Sequence, residues 1–376
     1  EASRPRLAAQ PAETPVALRG IRAHRAAGAG GEVPFGNITS KVKDALGGKG
    51  KVLRKGDLPK IFDWREELAG MVKPGEDPLG EQIDQGACGS CYAFAGIMTL
   101  QMRFRAKLWQ QHKLLYPLEL SYKSATRCSP YTEGCSGGFS FFTSRLAMEI
   151  GVPLAACDQA IPASGLDAEC DGACYKNASE RFYGGDYWHV GGFSHGSNEE
   201  RIMREIYLHG PVELGFSTKA IPEFVVLSGQ SFRENTDVMT VIVNKKAAKE
   251  TYSSNKELPL WWWSTHAIIG VGWGEDEVPW GTIKYWSVRN SWGRSWGEGG
   301  YAYMRRGNND GGIENDACAM AANLDRLPPG FLEQAKAYHA EHEAERREWT
   351  KGNGRVSAKK GSVEYCKMRP DSPDCN

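Results

Sequence analysis

The stretch "QGACGSCYAFAG", residues 85–96, sets two cysteines three apart at the mouth of an apolar run. The pair has three chemical readings: a metal pair, a redox pair, or one nucleophile beside one structural bridge. A zinc site needs four ligands, usually including a second close pair, and only Cys170 and Cys174 supply one. A redox C-x-x-C belongs in a strand–helix–strand context, which the flanking sequence does not offer. A nucleophile needs its thiol at a helix N-terminus, where unpaired N–H groups and the helix dipole favour thiolate. From Cys91 to Gln111 breakers are few, and Phe94, Ile97, Met98, Leu100 and Phe104 recur at helical spacing. That pattern predicts a buried helix opening at Cys91.

A cysteine nucleophile needs a base that holds the proton and returns it to the leaving amine. His266 in "WWWSTHAIIGVGWG" suits that role, since it opens a predicted strand. A third group should orient the imidazole, and Asn290 in "YWSVRNSWG" ends the next predicted strand, with Trp292 beside it to shield the hydrogen bond. Nucleophile on a helical half and base on a β half define a cleft between them.

The rest of the chain organises around that cleft. Residues 1–57 are rich in Ala, Gly, Arg and Pro and read as a flexible or propeptide-like leader. Globular texture runs from "LPKIFDWRE" at 58 to about 326, and 327–376 is a charged appendage with one helical piece, "FLEQAKAYHAEHEAERREW". A second helix is expected at 198–208, with Ser197 and Glu200 as a capping box. After 210, "PVELGFS", "VMTVIV", "HAIIGVGW", "IKYWSVRN" and "GYAYMRR" read as strands. Helices first and strands after give an α+β, two-lobed plan.

Bulk properties exclude several classes. Lys plus Arg and Asp plus Glu are 46 each, so no net field steers the chain to nucleic acid or an anionic membrane. The apolar runs are far shorter than the roughly 18 residues a membrane span needs. Seven of the ten cysteines fall within 88–174, which suggests a disulfide-bonded lobe matured in an oxidising compartment. The sequons at Asn37 and Asn177 fit a secretory route.

Taken together, "CGSCY", "GCSGG", "GP" at 210–211, "HAIIGVGWG" and "NSWGRSWGEGGY" closely resemble the papain family of cysteine peptidases. The resemblance spans about 58–325 and implies a papain-like fold with a helical lobe and a β-barrel-like lobe. It implies Cys91 as nucleophile, His266 as acid and base, Asn290 as its orienter and Gln85 as side-chain donor of the oxyanion hole. Trp292 and Trp296 match the tryptophans near the leaving-group side. Gly137, Gly138, Phe139 and Trp292 would line the substrate cleft. Asp316 in "GGIENDACAMA" would floor the pocket for the second residue before the scissile bond and pair there with Arg or Lys. The implied bridges are Cys88–Cys135, Cys128–Cys170 and Cys157–Cys174, with Cys366–Cys375 a further guess.

The spacing departs from the family's. His266 and Asn290 follow Cys91 by 175 and 199 residues, against about 130–150 in papain-like enzymes. Inserted sequence between Pro211 and His266, including "NKKAAKETYSSNKELP", accounts for the excess. Within the family, "CGSCYAFA", "GCSGGFSFF", "HVGGF" and "MRRG" resemble the cathepsin C branch, and 201–216 also resembles cathepsins B and X. The leader is too short for that branch's blocking domain, so the expectation is an endopeptidase, with dipeptidyl release the alternative. Phe141 and His189 replace tyrosines that hold chloride in that branch, which puts a chloride site in doubt. No metal ligand set and no other cofactor is implied. Expected partners are peptide or protein substrates and cystatin-like inhibitors, in a lysosomal, vacuolar or secreted setting. The competing classes are a non-catalytic papain-like binding or storage protein and a zinc module built on the lobe cysteines.

Overall fold

The computed structural model describes residues 58–225 and 264–352, apart from 70–71, 73–75, 160, 163–164, 167–168, 171, 194–195, 220 and 279–280. The leader, the predicted strand "VMTVIV", the "NKKAAKETYSSNKELP" insert, Cys366 and Cys375 lie outside the described residues. The architecture is α+β. The chain enters through β1 (Phe62–Asp63) and the single-turn α1 (Trp64–Glu67), then builds α2 (Cys91–His112), α3 (Tyr122–Cys128) and α4 (Ser140–Glu149). There follow β2 (Gly184–His189), α5 (Glu199–His209), β3 (Val212–Phe216), α6 (Pro222–Val225), β4 (His266–Val278), β5 (Gly281–Arg289), β6 (Tyr301–Arg305), β7 (Asp316–Ala322) and α7 (Phe331–Gly352).

Helix α2 starts at Cys91, as its apolar spacing predicts. It is buried nearly all round, so its hydrophobic residues do not form a stripe. Phe94, Leu100, Phe104 and Leu108 have no exposure, and burying each contributes about 1.5–3 kcal/mol. The helix stops where Lys113 turns left-handed (φ 55°) and sends its N–H back to Leu108 and Trp109 carbonyls.

The strands form one antiparallel sheet in the order β2-β7-β3-β4-β5-β6, with β1 paired to β4. Helix α2 packs on β4 and β7, and α4 on β2. Arg103 of α2 ties the layers together. Its buried guanidinium donates to the carbonyls of Pro211 (2.7 Å) and Met320 (3.1 Å) and pairs with Glu205 of α5 at 2.8 Å. Burial acts to raise the Glu205 carboxyl, but Arg103 and His209 beside it draw it down to about 2.

The expected capping box on α5 is corrected. Asn198 is the cap, accepting from the Arg201 N–H at 3.0 Å, while Ser197 turns inward and donates to the Glu314 carbonyl at 2.8 Å. Both residues have cap chemistry, and tertiary burial of Ser197 decides between them. In the C-terminal segment, α7 docks Phe331 and Ala335 against Tyr116 and Phe182, with ring centroids 5.0 and 4.9 Å from Phe331. The Leu115 N–H donates to His339 Nδ1 at 3.2 Å. Among the described residues no helix is long and apolar enough to cross a membrane.

Candidate active site

Cys91 occupies the first turn of α2, and its sulfur meets the backbone N–H groups of Ala267, Tyr92 and its own residue. Two of those donors are amides that no helical turn can satisfy; the third comes from β4, immediately after His266. The helix and the sheet therefore meet at this thiol. Cys88, the other half of the opening pair, is bridged to Cys135. The bridges Cys128–Cys170 and Cys157–Cys174 are also formed, which leaves Cys91 as the one unbridged cysteine of that lobe, too few for a four-ligand zinc module built there. Cys91 and Cys318 are the free cysteines among the described residues.

His266 is buried beneath Trp292, their ring centroids 4.6 Å apart. Its Nε2 lies 2.8 Å from Asn290 Oδ1. That oxygen already accepts from the Ser291 N–H at 2.8 Å, so the amide is oriented with oxygen toward the ring. Nε2 must then carry the hydrogen, and the lone pair of the neutral ring sits on Nδ1. Phe224 packs on His266, Trp292 and Trp296, with centroids 5.9, 5.5 and 4.6 Å away, and its carbonyl accepts from Trp296 Nε1. This aromatic wall keeps water from the His266–Asn290 bond. The sequence reading named both tryptophans but missed Phe224.

Gln85 is buried, and its orientation is fixed at both ends. Its Oε1 accepts from Ser291 Oγ, and its Nε2 donates to the Cys88 carbonyl at 2.7 Å. One N–H of the amide is thus used, and the second remains able to donate. Arg289, buried at the end of β5, holds this loop in place. It donates to Gln82 Oε1 and to the carbonyls of Leu79, Gly80 and Glu81, while Gln82 Nε2 donates to the Asn290 carbonyl at 2.6 Å. The Gln85 N–H closes the register on the Ser291 carbonyl at 2.8 Å.

The electrostatics oppose isolated charges. Burial pushes the Cys91 thiol up, against the three amides that favour thiolate. Burial likewise lowers His266 to about 4, against the Asn290 bond. Neither group is therefore favoured to charge alone.

Gly137, Gly138 and Phe139 follow Cys135, whose carbonyl accepts from the Gly89 N–H at 3.0 Å. They lie close to the first turn of α2: a Cβ on Gly138 would stand 2.7 Å from the Tyr92 ring. Phe139 is exposed, at 41%. Asp316 is reached along the sheet. Gly215 of β3 pairs with Ala267 on one side and Asp316 on the other, so the three residues form a row on one face, starting at the residue that donates to Cys91. A Cβ at Gly215 would meet Asp316 Oδ2 and Ser264 Oγ at 2.9 Å each. The glycine thus leaves a hollow with a carboxylate at its edge.

Phe141 and His189, which stand where the cathepsin C branch has chloride-holding tyrosines, engage each other. Phe141 has no donor, and its ring stacks on His189 at 4.5 Å. His189 in turn faces the Cys318 sulfur and the Asp316 carboxylate, whose charge repels an anion. His189, Asp316 and Cys318 lie within reach of one another, a grouping the sequence reading did not foresee.

The sequence pattern described as papain family cysteine protease matches residues 58–321. The chain belongs to the papain family. A protein named cathepsin C from Schistosoma mansoni is 32% identical over 265 residues, covering 69% of this chain and 51% of that protein. Dipeptidyl aminopeptidase 1 of Plasmodium falciparum (isolate 3D7) is 27% identical over 345 residues, covering 76% of this chain and 47% of its own. The chain thus spans about half the length of these curated relatives. Among solved structures, the proform of a ragweed pollen cysteine protease aligns over 74% of this chain and 72% of its own at 22% identity, with a TM-score of 0.49.

Proposed function

We propose that this papain-family chain hydrolyses peptide bonds through a Cys91–His266–Asn290 acyl-enzyme mechanism. The observation that carries the proposal is the shared acceptor Asn290 Oδ1, which fixes the His266 tautomer and leaves Nδ1 as the base. Cys91 gives its proton to His266 and its sulfur attacks the scissile carbonyl carbon. The oxygen of the tetrahedral intermediate takes hydrogen bonds from Gln85 Nε2 and the Cys91 N–H. The imidazolium protonates the departing amine, leaving a thioester. Water, deprotonated by His266, then attacks the thioester, releasing the acid and restoring the thiol. An epoxide probe of papain-like enzymes should alkylate Cys91 alone. Labelling elsewhere, or none, counts against the mechanism.

Asp316 at the edge of the Gly215 hollow supports a preference for Arg or Lys at the second residue before the scissile bond. Phe139, Gly137 and Gly138 form the opposite wall and Trp292 the leaving-group side. The names of the two curated relatives support dipeptide release by the intact protein, whereas the catalytic unit considered alone favours internal cleavage. N-terminally acetylated peptides separate these modes: a strict need for a free amine means dipeptidyl release, and efficient cleavage of blocked chains means endopeptidase action. The three disulfides and the exposed sequon residue Asn177 support a lysosomal, vacuolar or secreted setting, where cystatin-like inhibitors would be natural partners.

A further inference from the structure

Next to the hollow, the same face of the sheet carries a second constellation. Residues directly opposite in neighbouring strands point the same way, as do alternate residues of one strand. His189 of β2 pairs with Cys318 of β7, and Cys318 pairs with Glu213 of β3; Asp316 lies two residues before Cys318. All four side chains thus project from one face. His189 Nδ1 is 3.4 Å from Cys318 Sγ and 3.9 Å from Asp316 Oδ1, and the three donor atoms all lie within 4.8 Å of one another. Behind them Glu213 is 2% exposed, and its Oε2 has no hydrogen-bond partner.

We propose that His189, Asp316 and Cys318 form a binding site for a divalent cation of the zinc class. One imidazole nitrogen, one thiolate and one carboxylate oxygen are the donors such ions take, whereas calcium and magnesium would reject the sulfur. Bonds of about 2.0–2.3 Å in a tetrahedron place donors about 3.4–3.6 Å apart. The nitrogen–sulfur spacing already has that value, and only the Asp316 carboxylate must swing inward. The Phe141 stack, nearly parallel at 7°, holds the imidazole plane in place. On binding, Cys318 releases its proton to solvent, and the cation's charge offsets the thiolate and the two neighbouring carboxyl groups. Three protein ligands leave a fourth position for water or for an incoming group.

A cation here would occupy Asp316 and so compete with the basic side chain assigned to it above. That consequence rests on the specificity reading, whereas binding itself does not. The test therefore uses full-length protein carrying Cys91→Ala, which removes the catalytic thiol, and cobalt(II) alone as the probe. One equivalent should bind with a thiolate-to-cobalt charge-transfer band that zinc displaces. Cys318→Ser in that background should abolish the band, and Asp316→Asn should weaken cobalt binding about tenfold or more. Absence of the band, or its survival in Cys318→Ser, overturns the site. Should the serine variant fail to fold, unchanged cobalt affinity in Asp316→Asn overturns it equally.

Discussion

Two free thiols stand on either side of Gly215, each beside a histidine, and the fold treats them in opposite ways. Cys91 opens a helix, keeps partial exposure to the cleft and meets three backbone N–H groups. Cys318 lies mid-strand; burial first, then Asp316 and Glu213, push its thiol well up. His266 is held by a neutral amide, whereas His189 faces a carboxylate. In the proposed mechanism, then, a cysteine beside a histidine is not enough to make a nucleophile. A helix terminus stabilises the developing thiolate, and a neutral orienter leaves the imidazole's new charge to the sulfur. The acidic surroundings of Cys318 oppose a thiolate and suit an added cation.

The sharpest way to break this contrast is to remove the thiol at the helix. Cys91→Ala should lower kcat by a factor on the order of 10⁴–10⁶. Residual turnover within tenfold of wild type would move the nucleophile elsewhere. Gln85→Ala should lower kcat about 10²–10³-fold with KM nearly unchanged, the loss of one oxyanion donor. A change in KM alone would make Gln85 a binding group.

The two thiol regions share one support, since Arg103 joins α2, which carries Cys91, to β7, which carries Cys318. Glu205→Gln strands that buried guanidinium and should cost about 3–5 kcal/mol at pH 7 by chemical denaturation. The folded Glu205 carboxyl is depressed to about 2, so its contribution is present above the ordinary carboxylate pKa and is lost as pH falls through about 2. Its span is about 3 kcal/mol. The gap between wild type and variant should therefore narrow steadily below pH 4.5. A constant gap down to pH 2 would mean that Glu205 is not held by Arg103. A smaller effect is expected at the specificity pocket, where Asp316→Ala should erase a preference for Arg over Leu of about tenfold while Leu substrates are still cleaved. A profile of aliphatic residues untouched by that change would show the carboxylate facing elsewhere.

Much of this was legible in the sequence because its signals are local. The start of α2, His266 at a strand opening and Asn290 at a strand end each sit in short motifs that dictate their own backbone, whereas the three bridges came only from the family resemblance. The cap of α5 was misplaced by one residue because Ser197 and Asn198 have equivalent cap chemistry, and only the buried Glu314 carbonyl chooses between them. Phe224 gave no signal, since nothing in "PEFV" announces that it closes over His266 across the intervening insert. The His189–Asp316–Cys318 group depends on the register of β2 against β7, whose His189 and Cys318 are 129 residues apart. Alternation within "DAC" puts Asp316 and Cys318 on one face, but it cannot say which strand lies alongside.

In the proposed mechanism Cys91 charges only in company with His266. Competitive alkylation of the native protein across pH, followed by peptide mapping, reads both thiols in one sample. Cys91 should react at pH 5–6 nearly as fast as at pH 8, Cys318 should stay unmodified until the protein unfolds, and His266→Ala should return Cys91 to an ordinary thiol profile with a midpoint of about 8.5 or above. A wild-type Cys91 rate that climbs tenfold per pH unit up to pH 8.5, or a profile indifferent to loss of His266, would contradict it.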